Sequence, residues 1–213
     1  MAKGGIKVSR SILVLASGGL DSSVVITLYK NLGYDVHTLY FNYGNINAPK
    51  EYSKLESLCN KLDIPSSNRY SLNIEIPWSK GGCVDGTNPN PYIEMRNLIF
   101  LSYAISLAEA KEIDEIAVGF IKVPVDYSDT SYDFLANIDQ LSLEATAIPI
   151  RAPLKELDKA GVYRLGRKLG INLRDTFSCN YSKSNPCGKC GDCQDILKLI
   201  EDEQIPDEEN PFK

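Results

Sequence analysis

Residues 11–23 read SILVLASGGLDSS, an apolar run followed by a glycine-rich turn and the start of a helical pattern. The run from 11 to 16 is typical of a buried strand in a parallel sheet. Apolar residues then recur at helical spacing from 20 to 32, and Gly33 stands where a helix would end. The turn therefore lies between the carboxyl end of a strand and a helix N-terminus, where open α/β sheets bind their ligands.

The turn itself, residues 17–22, has the chemistry of a phosphate-binding site, and we call it the phosphate loop. Gly18 and Gly19 let the backbone approach an anion, and the helix behind them offers unpaired N–H groups. The two serines of the loop add hydroxyl donors. Because a carboxylate beside phosphates needs a cation between them, Asp21 is a candidate ligand for Mg²⁺. The alternative is a plain tight turn with a capped helix. The loop matches neither the Walker pattern nor the dinucleotide fingerprint, so it is not a site of either of those kinds.

Strand and helix patterns continue to alternate along the rest of the chain. We expect strands at 36–41, 70–76, 115–120 and through 148 and 150, and helices at 49–62, 93–110, 131–144 and 157–169. Such alternation predicts an α/β fold, a doubly wound parallel sheet with right-handed crossovers and helices on both faces. Residues 77–91 form a long connection rich in Gly, Pro and Asn, which is either a surface loop or a functional lid.

A cluster of cysteines stands near the end of the chain, at Cys179, Cys187, Cys190 and Cys193. We call these four residues the cysteine cluster. Four thiolates at this spacing are enough to close a tetrahedral structural Zn²⁺ site. An iron–sulfur cluster, a redox-active pair and unligated thiols are the alternatives. The pattern along the chain predicts a nucleotide-binding domain over 1–174 and a small metal-organised subdomain over 175–213, which ends in a helix and an acidic tail.

Charge and composition exclude several classes of protein. The formal net charge is −5. Residues 201–213 hold six acids and one base, so the rest of the chain is balanced, and we expect this tail to be a solvated terminus. The balance disfavours nucleic acid as a partner. No apolar run approaches the ~20 residues of a membrane span, and the N-terminus lacks the apolar stretch of a signal peptide. We expect a cytoplasmic protein without a membrane partner.

The phosphate loop, following a first strand, is similar to the PP-loop of the N-type ATP pyrophosphatases. Over roughly residues 11–198 the chain resembles the QueC family of that superfamily. Besides the loop and the cysteine cluster, the resemblance rests on Tyr43-Gly44, Arg96-Asn97, Asp126-Tyr127-Ser128, and Ala152-Pro153-Leu154 with Lys159. It implies an adenine nucleotide α-hydrolase-like sheet and zinc as the metal of the cysteine cluster.

The resemblance also implies an activity, which is ATP-dependent conversion of 7-carboxy-7-deazaguanine and ammonia into 7-cyano-7-deazaguanine. An acyl-adenylate and an amide are the intermediates, AMP and pyrophosphate are released, and ATP, Mg²⁺ and Zn²⁺ are the cofactors. The residues expected to act in catalysis are Ser17, Asp21, Ser22 and Lys159. Those expected to bind ATP are Ala16, Ser17, Gly18, Gly19, Leu20, Asp21, Ser22, Tyr40 and Arg96.

Other functions stay open because residues 45–47, 94–95 and 129–132 differ from the family pattern. They suit a QueC-like enzyme of an antiphage system, which joins a deazaguanine to a protein amine. A tRNA-thiolating PP-loop enzyme would want a basic RNA-binding module, which the balanced charge argues against. A zinc-stabilised nucleotide-binding module without catalysis would have no use for Asp21 and the loop serines. A homodimer also stays open.

Overall fold

The computed structural model describes residues 9–77, 92–123 and 127–213. Residues 77–91 are the connection predicted to be either a surface loop or a lid. Of these, only Pro77 is among the described residues. Asp126, one of the residues that carry the family resemblance, lies outside them as well.

The strands of the described residues form one parallel sheet in the order β3-β2-β1-β4-β5. They are β1 (Ser11–Leu15), β2 (Asp35–Asn42), β3 (Arg69–Asn73), β4 (Glu115–Ala117) and β5 (Ile150–Arg151). The central strand is β1, and its Leu13 pairs with His37 on β2 and with Ile116 on β4. The order reverses between β1 and β4, so the loop after β1 opens at the switch point of the sheet, where ligands bind in this architecture.

Six helices in the described part of the chain cover both faces of this sheet, which confirms the predicted doubly wound fold. They are α1 (Leu20–Asn31), α2 (Ala48–Lys61), α3 (Arg96–Ala110), α4 (Tyr132–Thr146), α5 (Lys159–Lys168) and α6 (Gly191–Asp202). Successive residues of β1 point to opposite faces. Val14 packs with residues of α1, α2, α5 and α6, while Leu13 packs with residues of α3 and α4. None of these helices is long and apolar enough to cross a membrane.

Two helices begin later than the hydrophobic pattern predicts, because polar groups set their first turns. The helix predicted over 93–110 begins at Arg96, since Met95 has a left-handed backbone with φ of 49°. A carboxylate oxygen of Asp129 then accepts the N–H of Asn97 at 3.0 Å. The helix predicted over 157–169 begins at Lys159, because the Asp158 side chain caps it.

Two strands are shorter than predicted. The strand β3 ends at Asn73 rather than at 76. The strand β4 ends at Ala117 rather than at 120, and the chain then passes close to the start of α1. A Cβ atom on Gly119 would lie 3.1 Å from the backbone N of Ser22, so glycine allows this close approach.

The end of the chain is packed against the body, which corrects the expectation of a solvated acidic tail. Ile205 is buried in the same apolar cluster as residues of α1 and α6. The Arg174 guanidinium donates to the carbonyl oxygens of Asn210, at 3.0 Å, and of Lys213, at 2.9 Å. The terminal segment is therefore held against the body, and one of its acidic residues, Glu209, pairs with Arg167 at 3.1 Å.

Candidate active site and metal centre

The phosphate loop has a compact geometry in which its two hydroxyl groups meet. The Oγ atoms of Ser17 and Ser22 are 3.2 Å apart, and the N–H of Ser17 donates to the Ser22 Oγ, also at 3.2 Å. Gly18 has a left-handed backbone with φ of 73°. No side chain caps α1 at Gly19, so the N-terminus of this helix keeps its unpaired N–H groups and the positive end of its dipole beside the loop.

Asp21 and Lys159 form an ion pair beside the loop. The Lys159 Nζ lies 3.0 Å from both carboxylate oxygens of Asp21, although the two residues are 138 positions apart in the chain. About a quarter of each side chain is exposed. Burial alone would lower the pKa of Lys159, but the neighbouring Asp21 carboxylate raises it above its usual value. The lysine therefore stays charged beside the loop.

A cluster of polar side chains lies on the other side of the loop, on β2 and at the start of α2. Tyr40, Asn45 and Asn47 are buried, and Glu51 is partly buried; we call these four residues the Glu51 cluster. Asn45 donates to Oε2 of Glu51 at 3.0 Å, and Asn47 donates to Oε1 at 2.9 Å. Burial raises the pKa of Glu51 to about 7, against the lowering effect of its hydrogen bonds with Tyr40 and Asn45.

Tyr40 and Arg96 are two of the expected ATP ligands. Tyr40 belongs to the Glu51 cluster, and Arg96 lies beside Tyr43. The Tyr40 hydroxyl is 3.2 Å from Oε2 of Glu51, so its side chain faces α2. Arg96, at the start of α3, donates to the Tyr43 hydroxyl at 3.0 Å, and its guanidinium lies over the Tyr43 and Phe100 rings. The Arg96 charge also lowers the pKa of Glu51, but the raising effect of burial is larger.

The cysteine cluster brings its four sulfur atoms within 4.8 Å of one another. The Cys187 and Cys193 sulfurs are 3.9 Å apart, close to the edge of about 3.8 Å expected for a tetrahedron with Zn–S bonds of about 2.3 Å. The N–H groups of Lys189 and Cys190 donate to the Cys187 sulfur at 3.4 and 3.3 Å. Although burial opposes ionisation, these donors lower the pKa of Cys187 to about 7. The donor set fits a single thiophilic cation.

The segment that carries the cysteine cluster also supports the phosphate loop. The N–H of Phe177 donates to the carbonyl of Gly18 at 2.9 Å. Asn47, of the Glu51 cluster, donates to the carbonyl of Cys179 at 2.8 Å. Asp192, in the first turn of α6, accepts a hydrogen bond from Asn180, and its charge acts on Lys159. The metal centre and the loop therefore share one network of contacts.

A comparison with protein families places this arrangement in a known group. The family model described as queuosine biosynthesis protein QueC matches residues 11–198, a span that includes the phosphate loop and the whole cysteine cluster. The chain belongs to the QueC family. Among curated relatives, the 7-cyano-7-deazaguanine synthase of a Nitratiruptor species is 33% identical over 207 residues, which cover 89% of this chain and 93% of that protein.

Solved structures share the fold of this QueC family member at low sequence identity. A 4-thiouridine synthetase in complex with RNA and bound ATP aligns with a TM-score of 0.55 and 17% identity, over 93% of this chain and 51% of that one. The U34-tRNA thiolase NcsA of Methanococcus maripaludis, with its 4Fe-4S cluster, aligns with a TM-score of 0.53 and 15% identity, over 94% and 70%. At this identity the likeness extends to the fold and no further.

Several residues beside the phosphate loop carry no functional signal in the sequence. Asn47 and Glu51 stand at the start of an amphipathic helix, where polar residues are ordinary. Asp192 lies between two predicted metal ligands, and its distance from Lys159 depends on how the chain returns to the sheet. The tertiary fold is needed to show that Asn47, Glu51 and Asp192 lie beside the phosphate loop.

The left-handed backbone of Gly18 leads to a testable prediction. A Cβ on Gly18 would lie 2.2 Å from the carbonyl oxygen of Glu51, so Gly18→Ala combines backbone strain with a clash. We expect the free energy of unfolding to fall by roughly 2 to 4 kcal/mol. Gly33→Ala is the matched control, because Gly33 has φ of 81° and nothing within 4 Å of its Cβ position. It should cost only about 1 kcal/mol.

Urea denaturation of the two variants and the parent would measure the difference. The clash adds to the backbone strain only at Gly18. Equal losses of stability in both variants would therefore contradict the close packing of Gly18 against α2.

Proposed function

We propose that this chain is a 7-cyano-7-deazaguanine synthase, which uses ATP and ammonia to convert 7-carboxy-7-deazaguanine into its nitrile. The observation that carries the proposal is the convergence of four side chains at the switch point of the sheet. The Ser17 and Ser22 hydroxyls meet at 3.2 Å, and Lys159 pairs with Asp21 at 3.0 Å, at the N-terminus of one helix. Hydroxyl donors, a charged amine and a helix dipole are the groups that hold a triphosphate.

Each of these groups has a role in the proposed reaction. The loop backbone, from Ala16 to Ser22, would hold the phosphates of ATP, and Lys159 would neutralise their charge. Asp21 would hold Mg²⁺, which supplies further neutralisation of the triphosphate. Tyr40 and Arg96 would border the nucleotide. The protein's main tasks are to place the reactants and to stabilise anionic transition states.

The proposed reaction uses ATP twice, first to activate the substrate carboxylate and then to activate the amide. The substrate carboxylate attacks the α-phosphate of ATP, which gives an acyl-adenylate and pyrophosphate. Ammonia displaces AMP and leaves an amide. A second ATP activates the amide oxygen, and loss of AMP and two protons then gives the nitrile. The adenylate has to be kept from water, which requires a closed site during the reaction.

We also propose that the cysteine cluster holds one structural Zn²⁺. All four ligands come from the protein, so no coordination position is left for substrate. Sulfurs that lie within 4.8 Å of one another suit one ion, because the ligands of an iron–sulfur cluster bind different irons and stand further apart. The division into a nucleotide-binding domain, 1–174, and a metal-organised subdomain, 175–213, is part of the same proposal.

One incubation tests the proposed reaction. Purified protein with ATP, Mg²⁺, 7-carboxy-7-deazaguanine and ammonium should form the nitrile and release pyrophosphate, and mass spectrometry would identify the product. Omission of ammonium should stop the reaction at the adenylate. A reaction that stops at the adenylate or the amide with ammonium present would contradict nitrile synthesis and favour a protein amine as the acceptor.

A further inference from the structure

The Glu51 cluster has more hydrogen-bond acceptors than hydrogens to supply them. Asn45 is only 4% exposed, yet its Oδ1 has no donor among the described residues. Both hydrogens of its amide are used, since Nδ2 donates to Asn47 at 2.6 Å and to Glu51 at 3.0 Å. The single Tyr40 hydroxyl hydrogen faces two acceptors at 3.2 Å, the carbonyl of Ala48 and a Glu51 oxygen. An unsatisfied buried acceptor is costly, so the cluster is built for an additional donor.

The charge of the cluster is also unbalanced. The hydrogen-bond partners of Glu51 in the described residues are Tyr40, Asn45 and Asn47, all of them neutral. Beyond these contacts, the Arg96 guanidinium favours the carboxylate and the Asp192 carboxylate opposes it, but burial has the larger effect on the pKa. A small cation in contact with Glu51 would stabilise this charge.

The position of the cluster connects the surface to the phosphate loop. On one side Asn45 and Tyr40 line a cavity of about 660 Å³, together with Asn42 and Tyr52. On the other side the backbone of Glu51 packs directly against Gly18 of the phosphate loop. Asn45 and Tyr40 therefore border the cavity, and Glu51, which both of them contact, lies between it and the phosphate loop.

We infer that the Glu51 cluster is the binding site of the nitrogen co-substrate, which it takes up as ammonium through the cavity, with Asn45 Oδ1 and the Glu51 carboxylate as its ligands. This inference rests on the proposed function. Ammonium carries four N–H donors, one positive charge and no acceptor, which is the complement of an acceptor-rich, negatively charged cluster.

The same contact supplies the free amine that the reaction needs. Ammonium has no lone pair, so one N–H bond must break before the nitrogen can attack the adenylate. Its proton passes to a carboxylate oxygen of Glu51, where an O–H bond forms, and neutral ammonia remains. Because the surroundings disfavour charge, the neutral pair is stabilised relative to the ion pair. A carboxyl group with a pKa of about 7 is suited to act as this base near neutral pH.

The kinetic test separates the ammonium site from the ATP site. We expect Glu51→Gln, which keeps the size of the side chain but removes its charge, to raise KM for ammonium by roughly 10- to 100-fold. KM for ATP should change less than twofold. Asn45→Ala should act in the same direction, and Glu109→Gln on the exposed side of α3 is the matched control. An unchanged ammonium KM in folded Glu51→Gln and Asn45→Ala would overturn the inference.

A binding measurement keeps the test independent of turnover. Ammonium chloride should raise the Tm of the parent protein more than tetramethylammonium chloride does at equal ionic strength, because tetramethylammonium has no N–H donor. The extra shift should disappear in Glu51→Gln. Equal shifts with both salts would overturn the site. If the parent shows the ammonium-specific shift but forms no nitrile, the site stands and the proposed function fails.

Discussion

Asp21→Ala is expected to lower ATP-dependent release of pyrophosphate by at least about 100-fold, because it removes the carboxylate proposed to hold Mg²⁺ and the partner that fixes Lys159. Ser17→Ala should have a similar effect, since its hydroxyl and that of Ser22 stand together at the start of α1. The fold should survive, because both side chains are partly exposed or peripheral to the core. A coupled pyrophosphate assay would measure the rates, and circular dichroism would verify folding.

The matched control is Asp133→Ala. Like Asp21, Asp133 is the acidic residue in the first turn of its helix, but it is exposed on α4. It should release pyrophosphate at close to the parent rate. If Asp21→Ala and Ser17→Ala also did so, residues 17–22 would not be the phosphate-binding loop.

The second large effect is expected from the cysteine cluster. Cys190→Ser removes one of the four proposed metal ligands, at a position where serine is itself a good N-cap for α6. We expect loss of the metal and a fall of more than about 4 kcal/mol in the free energy of unfolding, because metal binding and local folding are coupled. Activity should fall as well, since Phe177 would no longer hold the Gly18 carbonyl. Metal analysis, X-ray absorption and hydrogen exchange over 175–213 would follow these changes.

Cys59→Ser provides the control for the loss of a buried thiol, because Cys59 lies in the core away from the cluster. It should lower stability but leave one zinc with four sulfur ligands per chain. Iron with acid-labile sulfide in the parent protein would contradict the choice of zinc.

Sequence reasoning succeeded where the signal is local. The order strand, glycine-rich turn and helix over 11–32 depends on neighbouring residues, and the structure has β1 and α1 in those places. The cysteine cluster was predictable for the same reason, since four ligands within a short segment can meet wherever the segment packs. The parallel sheet followed from the alternation of elements, which restricts the topology strongly.

The predictions that were wrong concern features of the structure that depend on residues distant in the sequence. The start of α3 depends on Asp129 from a later segment, and the end of β4 depends on how Gly119 passes α1. The resemblance assigns Lys159 and Asp21 to one site, but nothing in the sequence indicates that they pair. The sequence does not reveal the Glu51 cluster either, because only the tertiary fold brings Tyr40 on β2 to its partner on α2.

The contacts that hold the phosphate loop come from the far end of the chain, and this fixes the order in which a nascent protein becomes competent. The ribosome makes residues 17–22 well before the groups beside them, Lys159, Phe177 and Asp192, since Lys159 is already 138 positions after Asp21. A chain that stops before the cysteine cluster can form much of the sheet while its loop lacks these supports. The phosphate loop therefore gains these supports only after the segment that carries the cysteine cluster has been made and has packed against it.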